Sequence, residues 1–101
     1  MQEKNLASSL IGKHVICRCY YGGVHYGELV EVSEDYRAAL LKNSGRIYSW
    51  QGAMSLSKIS RDGIQSGQID ESFAQVLLTD VYEFLEMTDK ARKSLDSFRV
   101  K

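Results

Sequence analysis

The chain has no excess of either charge, very little cysteine and no long apolar run, and each shortage removes a class of protein. Its 13 Lys and Arg residues balance 13 Asp and Glu residues. Long nucleic acids are held by a basic stripe that neutralises several phosphates at once, so a neutral chain argues against that role. A small ligand with one or two phosphates needs only a few local cations and stays open. Cysteine occurs only at Cys17 and Cys19. Two residues apart on a strand, they share a face and cannot readily bridge, which marks them as reduced, buried small hydrophobes. Together with His14 and His25 they match no strong zinc spacing, and neither a metal nor a cofactor is expected. No stretch is long and apolar enough to cross a bilayer, and Met1 to Leu6 lacks the apolar run of a signal peptide. The protein is expected inside the cell that makes it.

What remains is globular composition: 101 residues, 44% hydrophobic and 26% charged, which fits a single domain over residues 1–101. Residues 1–12 are weakly patterned and read as a frayed lead-in or a short helix. His14 to Tyr20 alternates as a strand, broken by the turn Tyr21-Gly22-Gly23. Val24 to Val32 is a second strand, rich in β-branched and aromatic residues. Tyr36 to Asn43 forms a third, and Ser44-Gly45 between apolar runs suggests a hairpin from which Arg46 to Trp50 returns antiparallel. Ser55 caps a short helix that ends at Gly63. Ile64 to Glu71 is polar and reads as a loop. Phe73 to Met87 is one bent strand or two consecutive ones, broken at Thr79-Asp80, and Thr88 caps a last helix reaching Phe98. The expected fold is α+β: a small, curved, barrel-like antiparallel β-sheet with a short helix and a C-terminal helix.

One stretch carries most of the chemistry. On a strand, Arg46, Tyr48 and Trp50 share a side, where a guanidinium beside two rings could grip a phosphate while a base stacks. The plain alternative is that Trp50 anchors the core and Arg46 is solvated; the alternation does not decide between them, because Leu40 and Leu41 are both apolar. Arg18 and Tyr20 repeat the cation-plus-ring pairing, and Tyr26 adds a ring in the glycine-rich turn that follows. Ser55 at the helix start would help orient an anionic ligand. The glycines form neither a P-loop nor a dinucleotide fingerprint, and the serines and histidines sit in no catalytic motif. The candidate ligand-binding residues are therefore Arg18, Tyr20, Tyr26, Arg46, Tyr48, Trp50 and Ser55. No enzymatic activity is expected.

Two segments, Val15 to Leu29 and Leu41 to Leu56, carry an Arg-x-Tyr strand, a Gly-Val-His turn and the run Asn-x-x-Arg-x-x-x-Trp-x-Gly-Ala-x-Ser-Leu. They resemble a family of small phage and prophage proteins, most of which bear only a domain-of-unknown-function label. The likeness extends through Leu78-Thr79-Asp80 and the C-terminal helix. The family is also similar to phage sponge proteins of the anti-CBASS kind. That resemblance implies a homo-oligomer in the cytoplasm of an infected bacterium. It would bind and sequester a cyclic dinucleotide such as 3'3'-cGAMP, or a related small nucleotide, without cleaving it. The alternative is a small protein-interaction module that docks a host or phage protein through exposed aromatics.

Overall fold

Val15, Ile16 and Cys17 are consecutive, and all three are fully buried. A strand can bury successive side chains only when both faces of its sheet are covered. The computed structural model, which describes residues 6–21, 23–71 and 74–100, shows how this is achieved. The elements are β1 (His14–Cys19), β2 (Val24–Val32), β3 (Ala39–Gln51), α1 (Leu56–Asp62), β4 (Ser66–Glu71), β5 (Gln75–Leu78), β6 (Val81–Glu86), α2 (Asp89–Asp96) and β7 (Arg99–Val100). The sheet runs β6-β1-β2-β3-β4-β7, with β5 also paired to β3. Every pairing is antiparallel except that of β4 with β7, and the sheet is not closed. The architecture is the small α+β fold expected from the sequence.

The sheet curls so that one face encloses Val15, Cys17, Cys19, Leu29, Leu41 and Leu78. Its other face packs Ile16, Tyr26, Ile47 and Ile69 against Ile59 of α1 and Leu95 of α2. Both helices have the caps their sequences announce. The Ser55 hydroxyl accepts from the Lys58 amide and the Thr88 hydroxyl from the Ala91 amide. Each such cap contributes about 1 kcal/mol. Thr88 also donates to the Arg61 carbonyl at 2.6 Å, which ties the end of α1 to the start of α2.

The expected hairpin at Ser44-Gly45 does not form. The chain continues straight through it as the single strand β3, which pairs with β2 from Ala39 to Ile47. The alternation fails there because of a bulge, not a reversal. Tyr26 faces Gly45 and Glu28 faces Lys42, so β3 has one residue more than β2 in that interval. Asn43 takes up the bulge with φ at 52°, in the left-handed region that asparagine tolerates. Arg99 of β7 donates to the carbonyls of Asn43 and Ser44, giving the bulge the partners it lost from the ladder. Leu41 therefore faces one core and Ile47 the other.

The segment read as a polar loop is instead largely β4. It pairs with the second half of β3, and only Ile69 of that strand enters the core. Gly67 lets the two backbones approach closely, since a Cβ there would lie 2.5 Å from the Ser49 carbonyl oxygen. Beyond it, β5 and β6 are two consecutive strands separated at Thr79-Asp80, and the last helix stops at Asp96. Met1 to Asn5, Gly22 and Phe73, which figured in the expected lead-in, turn and strand, lie outside the described residues.

Candidate functional site

The end of β1 and the start of β6 build an aromatic cleft. Opposite β1, Glu83 pairs with Arg18 and Val81 with Cys19, so Tyr82 is the extra residue of a second bulge. Just past β1, the Tyr20 amide donates to the Asp80 carbonyl at 3.0 Å. The rings of Tyr20 and Tyr82 then meet, with centroids 4.4 Å apart and planes tilted by 33°. The Arg18 guanidinium carbon lies 5.3 Å from the Tyr82 ring centroid, within cation–π range. Tyr20 is 70% exposed and Tyr82 45%, so these rings face solvent.

The opposite wall comes from the connection between β2 and β3, which brings Tyr36 and Arg37 to a cleft of about 660 Å³. Tyr36 holds φ at 64°. Asp35 Oδ1 braces this turn, accepting from Ser33 Oγ at 2.6 Å and from the Arg37 amide at 3.1 Å. Those bonds, the serine's foremost, hold the Asp35 carboxyl below the usual carboxylate range. The Arg37 carbonyl accepts from the Val81 amide at 2.9 Å, tying the turn to β6. On the other side, Asp80 Oδ2 accepts from the Tyr21 amide at 2.6 Å. Chemically, the cleft offers flat rings for stacking, a guanidinium donor at Arg37 with Arg18 beside it, and carboxylate acceptors.

Of the residues singled out in the sequence, Tyr20 lines this cleft and Arg18 lies beside it, over the ring of Tyr82. Arg46 and Tyr48 form a second pair, with the guanidinium carbon 5.0 Å from the ring centroid and Tyr48 56% exposed. Trp50 does not join them. Ile47 faces Ile69 and Ser49 faces Gln68, so Tyr48 is itself a bulged residue, and the alternation reverses after it. The partly buried indole packs against the helix-side core and donates to the Ala53 carbonyl at 3.1 Å.

Tyr26 is also a core residue, 1% exposed, with its ring under Gly45 and its hydroxyl donating to Asp96 at 2.7 Å. It faces the helices because it lies on the same side of β2 as Val24, which packs there too. Ser55 spends its hydroxyl on the helix cap. Cys17 and Cys19 are free and buried. Burial, followed by the Asp80 carboxylate, pushes the Cys19 thiol up to about 12, and burial raises Cys17 as well, so neither is a nucleophile at neutral pH.

The sequence reading missed Tyr82, Tyr36 and Arg37. The Val-Tyr-Glu-Phe run could have flagged Tyr82 as an outward ring, but its neighbour is fixed only by the pairing of β6 with β1. Among the described residues, no three His, Cys, Asp or Glu side chains gather as a metal site. No helix among them is long and apolar enough to cross a membrane.

Residues 12–95 match a family model described as a domain of unknown function, DUF6948, and the chain belongs to that family. The description names no activity and makes no link to phages or nucleotide sponges. No curated protein matches the chain.

Proposed function

We propose that this DUF6948 protein binds a small nucleobase-bearing anion, foremost a cyclic dinucleotide such as 3'3'-cGAMP, in the Tyr20–Tyr82 cleft and holds it without cleaving it. The observation that carries the reading is the exposed Tyr20–Tyr82 pair with the Arg18 guanidinium over one ring. Stacking one base on an aromatic ring contributes roughly 1–3 kcal/mol, and a guanidinium at the rim adds a phosphate partner. The cleft volume falls within the span of about 300–1,000 Å³ common for small-molecule sites. Its charge also bears on the ligand, because Asp35, Asp80 and Glu83 outnumber Arg37 in the lining and Arg18 beside it. A cyclic dinucleotide carries only its two phosphodiester charges, fewer than a nucleoside di- or triphosphate, and so meets less repulsion in such a cleft than those do. The biological setting rests on the resemblance: a phage-encoded homo-oligomer that removes an immune signal in the infected cell.

Calorimetry with cyclic dinucleotides, linear dinucleotides and mononucleotides tests the proposal. Micromolar or tighter binding of a cyclic member is expected, weakened by Tyr82→Ala and by Arg18→Ala, with the ligand recovered unchanged after denaturation. Absence of binding to every member overturns it, and recovered products would replace sequestration with catalysis. The second reading, a protein-docking face, is favoured by Tyr21, which is 93% exposed beside the same cleft. Tyrosine and arginine concentrate in interface hot spots. A partner whose capture from infected cells is unaffected by added nucleotide would support that reading instead.

A further inference from the structure

We infer that the cleft selects guanine over adenine, through Asp35 and Glu83 as acceptors and Arg37 as donor; this rests on the nucleotide reading above. A stacked base is discriminated only at its edge, by the donors and acceptors that the walls present. Here the acceptors are carboxylate oxygens. Glu83 pairs with Arg18 in a long, half-exposed ion pair of 3.9 Å, which a ligand can replace at low cost. Asp35, in the lining, has Oδ1 committed to Ser33 and to the Arg37 amide, which fixes the carboxylate, while neither bond uses Oδ2. Arg37, two residues on, lines the same cleft with a guanidinium that only donates.

Guanine presents two adjacent donors, the N1–H and the 2-amino group, next to the O6 acceptor. Those donors call for acceptors and O6 for a donor, the two kinds of group that Asp35, Glu83 and Arg37 bring to the lining. Adenine presents one amino donor beside the N1 lone pair. Against a carboxylate that lone pair finds no proton and meets like charge density. Discrimination of one base edge by matched hydrogen bonds corresponds to about tenfold or more in affinity.

The test is calorimetry on the full chain with cyclic di-GMP and cyclic di-AMP, which share a backbone and differ only in the base. The guanine ligand should bind at least about tenfold tighter. Asp35→Asn keeps the oxygen that braces the turn and exchanges the other for a donor, while Glu83→Gln removes a loosely held charge. Both variants should retain the parent melting temperature, and each should bring the affinity ratio towards one. Equal affinities, or a preference for adenine, would overturn guanine selection and leave the nucleotide reading standing. A ratio unchanged in both variants would overturn the assignment to Asp35 and Glu83. Failure of both ligands to bind the parent protein overturns this inference, and the reading beneath it falls if the rest of the panel also fails.

Discussion

Tyr20 and Tyr26 are the same residue type in one short stretch, yet the fold gives them opposite tasks. Tyr20 lies against Tyr82 in solvent, whereas Tyr26 is sealed under Gly45 with its hydroxyl on Asp96. Tyr20→Ala should therefore lower nucleotide affinity by roughly 1–3 kcal/mol with little change in melting temperature. Tyr26→Phe should lower stability by about 1–2 kcal/mol, because Asp96 loses a buried partner, and should leave binding unchanged. Thermal melts and calorimetry on the two variants separate these outcomes. The thiol of Cys19 makes a different prediction. Its ordinary value is 9.0 and in the folded protein it is pushed up to about 12, so the unfolded chain ionises first. Stability from this group is complete below pH 9.0 and is lost progressively as pH rises towards about 12. Melting temperatures measured across that range should fall for the parent and fall less steeply for Cys19→Ala.

At the level of elements, β1 and β2 were legible because β-branched and aromatic residues concentrate in them and glycines lie between them. The second half of the sheet was not. β3 carries bulges at Asn43-Ser44 and at Tyr48, and each reverses which side chains face inward. A reading by strict alternation meets the first bulge as a turn and the second not at all, which is how Trp50 came to be placed beside Tyr48. β4 was hidden for another reason: a single inward residue, Ile69, leaves no periodic signal. Half of the cleft was visible in Arg18 and Tyr20, while its other wall depends on β6 and the turn at Tyr36, which only tertiary pairing brings near. Gly67→Ala tests the importance of the β3–β4 approach. The new Cβ would lie 2.5 Å from the Ser49 carbonyl oxygen, which belongs to backbone and cannot swing aside. A loss of about 1–3 kcal/mol is expected in chemical denaturation.

The molecule is elongated, 46 × 23 × 21 Å, and holds two apolar clusters on opposite faces of one sheet. They are not independent units, because β1 supplies Val15 and Cys17 to one and Ile16 to the other. Unfolding should accordingly be a single transition, with far-ultraviolet and near-ultraviolet dichroism melting together. Leu41→Ala and Ile59→Ala, one in each cluster, should each lower stability by about 2–5 kcal/mol and move both signals alike. Two separated transitions would show that the faces fold apart.

The two irregularities in β3 also limit how this lineage can change length. Each bulge works as a parity switch, so one codon gained or lost between Ala39 and Gln51 would turn the remainder of the strand inside out. Insertions and deletions should therefore gather in the connection at residues 33–38, which forms one wall of the cleft. Evolution can then reshape the cleft there by length as well as by substitution, while the strand beside it keeps its register.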